Sequence, residues 1–210
     1  MKHDDFKKVR FMGLSLGGGK THRTHLAIVD YFIDNKKVFL THLFRDLGES
    51  SGVSGDTHLI DLIRQHDQNL NSMTVDYPLT APKCVRCRLK CPGVEACKED
   101  EIRWMWNFYN KLDEKKRPNK IFTPYTERCA DQWLSHEAEV AIPNDHALGS
   151  NRAPLYVRGQ FLKKRLGRVR LQEAQMRLIV WRLGRALKIS KTPLLFYKNS
   201  VEGEHHRQVF

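Results

Sequence analysis

The chain has 210 residues, of which 36 are Lys or Arg and 24 are Asp or Glu, giving a formal net charge of +12. A hydrophobic content of 40%, with 4 Trp, 6 Tyr and 10 Phe, excludes a disordered or coiled-coil chain. No stretch nears the roughly 18 consecutive apolar residues of a membrane span, and the start MKHDDFKKVRF lacks the apolar segment of a secretory signal.

In chain order, residues 9–17 read as a strand running into a glycine turn. Residues 24–33 give a second strand, and Lys37–Leu43 a third after the turn at Asp34-Asn35, so the first three form an antiparallel meander. Gly55–His66 follows as a helix with Leu59, Leu62 and Ile63 on one face. Residues 72–77 make a short buried strand ending at Pro78; the helix before it predicts a parallel pairing with the first strand. Beyond the cysteine-rich stretch 82–98, helices are expected over 99–114, 124–139, 155–166 and 171–187. Residues 140–154 read as loop and 193–198 as a late strand.

The charge is concentrated. Residues 151–188 hold eleven Lys and Arg against the single acid Glu173, a net +10, and residues 83–98 add a net +4. Everything else is slightly acidic. Such a block suits counterion release from a phosphate backbone. The candidate contacts are Arg158, Lys163, Lys164, Arg165, Arg168, Arg170 and Arg177, and the expected partner is nucleic acid or another polyanion, with no membrane.

Cys84, Cys87, Cys91 and Cys97 are spaced by two, three and five residues within CVRCRLKCPGVEAC. Four thiols with Pro and Gly turns between them suit a tetrathiolate site holding zinc or an iron–sulfur cluster. Cys129 stands apart and reads as a packing thiol. The run Gly17-Gly18-Gly19-Lys20-Thr21 lacks the earlier glycine of a P-loop and precedes a strand, so it reads as a glycine hairpin. Asp76, in Val75-Asp76-Tyr77-Pro78, is a carboxylate at a strand end, where α/β sheets gather ligands; a turn or capping role is the alternative. His205 and His206 read as surface residues.

The segments FMGLSLGGGKTHRTHLAIVD, MTVDYPLTAP and TERCADQWL together resemble an uncharacterised bacterial family of predicted nucleases with a ribonuclease H-like fold. Gly13, Gly17, Thr24, Ala27, Asp76, Pro78, Leu79, Arg128 and Asp131 stand at the family's positions. The resemblance spans residues 9–134 and, more faintly, 171–198. It implies an α/β fold: a ribonuclease H-like mixed sheet of three antiparallel and then parallel strands, flanked by helices. It also implies two-metal phosphodiester hydrolysis, in which carboxylates hold two Mg²⁺ ions about 4 Å apart. Asp76 and Asp131 are the catalytic candidates on that basis. Ser15 stands where the family has its first-strand Asp, and a neutral hydroxyl substitutes poorly for a bridging carboxylate. The four-cysteine insert is no part of the generic pattern, and the resemblance implies a last helix for which this sequence shows no clear counterpart.

The expectation is therefore one cytoplasmic domain over residues 1–210, with a metal-binding insert at about 82–98. Its expected function is nucleic-acid binding with a degenerate nuclease site. One alternative is an active Mg-dependent nuclease using Asp76 with acids such as Asp100, Glu101, Glu127 or Asp131. The other is a nucleotide-binding domain of the actin-like ATPase type, with the Gly17–Gly19 hairpin as its phosphate loop.

Overall fold

The computed structural model describes residues 7–18, 23–49, 51–114, 121–136, 146–149 and 152–195. The chain divides into two compact units, one made of Met1–Ala81 with Ala147–Ala174, the other of Pro82–His146 with Gln175–Phe210.

The first unit is built on a five-stranded mixed sheet. Strands β1 (Lys8–Ser15), β2 (Thr24–Phe32) and β3 (Lys37–Leu47) form the antiparallel meander, helix α1 (Gly55–Gln65) crosses over, and β4 (Leu70–Val75) pairs parallel to β1. Helix α5 (Arg152–Leu166) leads into β5 (Leu171–Glu173), which pairs parallel to β4, so the order is β3-β2-β1-β4-β5. This is the mixed sheet expected, three strands antiparallel and then two parallel.

Period-two alternation explains the core. Met12, Leu14, Leu26, Ile28, Met73 and Val75 share the inner face, where Leu59, Ile60 and Ile63 of α1 and Leu162 and Leu166 of α5 cover them. Helix α1 starts where Ser54 Oγ accepts from Thr57 N at 3.3 Å, an N-cap that satisfies one of the helix's orphan donors. A buried ion pair lies on this face: Asp30, 1% exposed, accepts from Arg10 Nε at 2.7 Å and from Arg10 Nη2 at 2.8 Å.

The second unit contains α2 (Lys83–Arg86), α3 (Asp100–Lys111), α4 (Cys129–His136), α6 (Met176–Ala186) and α7 (Lys191–Leu195). Ile102 and Met105 of α3 bury against Phe122, with Cys84, Cys97 and Cys129 packed around them. Trp181 of α6 and Leu194 of α7 form a separate small cluster.

Four expected elements are corrected. Residues 171–187 are not one helix: Leu171–Glu173 form β5, because β4 offers a free edge that Met73 N→Arg170 O (2.9 Å) and Ala174 N→Val75 O (2.8 Å) fill. The helix begins only at Met176. The late strand at 193–198 is also wrong over its described part, since Pro193 to Leu195 close α7. Pro193 is tolerated there because the first turn of a helix needs no N–H from it; residues 196–198 lie outside the described residues. The helix expected over 124–139 is described as a turn at 124–126 and then α4 from Cys129, and α5 starts at Arg152 rather than Leu155.

Candidate functional site

The carboxyl ends of β1 and β4 lie side by side because the two strands are parallel, and this brings Ser15 and Asp76 together. Ser15 Oγ donates to Asp76 Oδ2 at 2.5 Å, and Leu16 N donates to Asp76 Oδ1 at 3.1 Å. Both carboxylate oxygens are thus engaged by the end of β1. Asp76 N in turn donates to Leu14 O at 3.2 Å.

Helix α5 clamps the rim of this strand end. Arg152 Nη2 donates to Asp76 O at 2.8 Å, and Gln160 Nε2 donates to Leu79 O at 3.0 Å. Arg158 Nη1 donates to Gly17 O at 2.6 Å, while its Nε donates to Asp56 Oδ1 at 2.8 Å. Tyr77, fully buried, lies directly under α5, and burial followed by the neighbouring Asp76 carboxylate pushes its hydroxyl up to about 12. The helix passes this close because residue 159 is glycine: a Cβ there would stand 2.3 Å from the Tyr77 ring.

A second carboxylate sits at the neighbouring strand end. Glu173, the last residue of β5, is in register with Val75, and its Oε2 accepts from Leu79 N at 2.9 Å. The sequence reading passed over it by placing it inside a helix, and the three residues Leu171-Gln172-Glu173 carry no local signal that marks it. Asp131 lies in the other unit. It is 3% exposed and accepts from Arg128 N at 2.9 Å and Arg128 Nη2 at 2.7 Å, which closes the first turn of α4 with a buried ion pair. Among the described residues, no three His, Cys, Asp or Glu side chains are arranged to hold a metal ion.

The basic block divides by exposure. Arg158 is committed to Asp56, Gly17 and Thr24 inside the fold. Arg165 donates to Thr57 Oγ1 at 3.2 Å and lies over the Phe161 ring at 5.6 Å. Lys163, Lys164, Arg168 and Arg170 are exposed at the end of α5 and in the turn after it. An open groove of about 610 Å³ is lined by Asp56 and by Ala153, Pro154, Val157, Arg158 and Phe161 of α5. Arg177 belongs to α6 in the other unit.

The five cysteines form no disulfide. The Cys84 thiol is pushed up by burial and then by the thiols of Cys97, Cys91 and Cys87. Thiolates are soft donors, but the structure draws no three of these thiols into a metal-holding group. Cys129, half-buried, donates to Glu101 O at 3.1 Å, and burial pushes it up to about 11, in keeping with a packing role. Gly19, Lys20 and Thr21 of the glycine hairpin, and His205 and His206, lie outside the described residues.

Comparison with protein-family models, with curated proteins and with solved structures finds no match.

Proposed function

We propose that the chain is a nucleic-acid-binding protein of ribonuclease H-like fold whose nuclease site is degenerate. The order β3-β2-β1-β4-β5, with β1–β3 antiparallel and β4 and β5 parallel, supports the fold. The observation that carries the degenerate reading is the Ser15–Asp76 hydrogen bond. Where the resemblance puts a carboxylate on the first strand, Ser15 instead donates its hydroxyl to Asp76, and a backbone amide takes the other Asp76 oxygen. Binding is assigned to Lys163, Lys164, Arg165, Arg168 and Arg170 at the end of α5.

The test pairs binding with cleavage. Substituting Lys163, Lys164 and Arg168 together by alanine is expected to weaken oligonucleotide binding at least tenfold. The slope of log K against log salt should fall by roughly 2–3, since each neutralised phosphate contributes about 0.9. Plasmid and oligonucleotides should stay intact with Mg²⁺ or Mn²⁺. An active nuclease is the second reading, favoured by Glu173 at the next strand end to Asp76. Cleavage by the wild type that Asp76→Ala abolishes would establish that reading instead.

Cys84, Cys87, Cys91 and Cys97 would hold zinc or an iron–sulfur cluster, a structural centre within the second unit; unpaired thiols also suit the reducing cytoplasm. Metal analysis of anaerobically purified protein should find a bound centre, colourless for zinc and brown for a cluster. Cys84→Ser with Cys87→Ser should lose it and lower the melting temperature.

A further inference from the structure

We infer that the nucleic acid bound at α5 is single-stranded and that one of its bases stacks on Phe161; this rests on the binding reading above. Helix α5 presents to solvent an apolar stripe that its packing does not use. Val157 is 66% exposed and Phe161 49%, four residues apart on one helix face, and with Ala153 and Pro154 they line the open groove. The next turn of the same face is cationic. Lys164 and Arg165 stand three and four residues beyond Phe161, and Arg165 Cζ lies 5.6 Å from the centre of the Phe161 ring. Arg64, from α1, adds a third cation there, its Nη2 donating to Arg165 O at 3.3 Å.

The chemistry of this face selects among polyanions. Helix α5 contains no acid, and the carboxylate that lines the groove, Asp56, is neutralised by Arg158, whose Nε lies at 2.8 Å and Nη2 at 2.6 Å. Phosphates alone have no use for Val157 and Phe161. An unpaired base does: it buries its apolar face on the aromatic ring while the phosphates beside it reach the cations of the next turn. A duplex keeps its bases stacked on one another, so its π faces are closed to Phe161. The polar side chains of the groove, Asp56 and Arg158, are bonded to each other and read no base edge, so the site should accept any sequence.

Fluorescence anisotropy of the full chain tests this, with a labelled oligonucleotide of mixed sequence used single-stranded and annealed to its complement. The single strand should bind about tenfold more tightly than the duplex. Phe161→Ala should weaken single-strand binding about tenfold, the loss of one stacked base. Its melting temperature should hold because the ring is half exposed, and its slope of log K against log salt should not change because no phosphate contact is lost. Lys164→Ala should instead lower that slope by about 0.7. Phe161→Trp should keep the affinity and Phe161→Leu should not. Full affinity in Phe161→Leu would make the stripe a plain apolar surface, suited to a protein segment, and overturns the inference. Equal affinity for strand and duplex with Phe161→Ala harmless overturns it too, but leaves the basic end of α5 as a binding site. Failure of both strand and duplex to bind overturns the binding reading, and this inference with it.

Discussion

Asp30→Asn is expected to destabilise the fold by about 3–5 kcal/mol, the cost of breaking a buried ion pair by removing one member. An exposed pair would be worth no more than about 1 kcal/mol; burial decides the difference. The Asp30 side chain is 2% exposed and that of Arg10 only 11%, so the variant leaves a guanidinium in the sheet's inner face without its countercharge. Lys8 Nζ, at 3.2 Å from Asp30 Oδ2, is a second cation and supplies no countercharge. The Arg10 guanidinium holds the Asp30 carboxyl at about 2, below its ordinary 3.8, with Lys8 helping against the cost of burial. A carboxylate lowered in the folded state stabilises it above the ordinary value, and the gain is lost as pH falls through the folded one. The charge contribution, about 2 kcal/mol at 1.36 kcal/mol per pKa unit, should therefore vanish between about pH 4 and pH 2. Urea unfolding of wild type and variant across that range should show the gap between them narrowing. Arg10→Met combined with Asp30→Leu should recover most of the lost stability at neutral pH, because a well-packed apolar pair needs no countercharge.

Gly159→Ala is the second substitution with a large expected effect. In an exposed helix interior this change stabilises by about 1 kcal/mol, since alanine is the better helix former. Here the new methyl meets Tyr77 Cε2 at 2.3 Å and Cδ2 at 2.4 Å, and Tyr77 is fully buried with no side to move toward. Overpacking of this kind costs about 1–3 kcal/mol, and so short a contact belongs at the upper end. The net expectation is a loss of about 2 kcal/mol. Lifting α5 would also strain Arg152 Nη2→Asp76 O and Arg158 Nη1→Gly17 O, which tie the helix to the ends of β4 and β1. Thermal melts report the stability, and Gly159→Ser should behave like the alanine variant. A melting temperature unchanged or raised would show that α5 does not press on Tyr77.

What the sequence disclosed follows from where local pattern and tertiary context agree. The meander, α1 and β4 were legible because alternation in LAIVDYF and the Leu59, Leu62, Ile63 spacing report a single buried face. β5 was not, because Leu171-Gln172-Glu173 is too short to show alternation and is a strand only by virtue of the β4 edge beside it. For α7, the apolar run PLLFYK has the composition of a strand, and its packing of Leu194 near Trp181 is a contact no local window contains. The site shows the same division. Asp76 at a strand end was readable, and so was the oddity of Ser15, but their hydrogen bond depends on the parallel pairing of β1 with β4. Composition counted Arg158 with the surface cations, whereas folding turns it inward onto Asp56 and Gly17. Glu173 was hidden by the missed strand.

The first unit is drawn from two separate stretches of chain, and this sets an order on its birth. When Ala81 has been made, β1 to β4 and α1 exist, yet α5 and β5 belong to Ala147–Ala174 and are still to come. At ordinary elongation rates the chain between Ala81 and Ala174 takes roughly 5–20 s to emerge. Through that interval the part of the inner face that Leu162 and Leu166 will cover faces water, and the outer edge of β4 is open. A nascent chain in this state offers both an apolar surface and a strand edge to its neighbours. Newly made protein, more than the finished fold, is where chaperones would matter to it, and slow translation through residues 82–146 would lengthen the exposure.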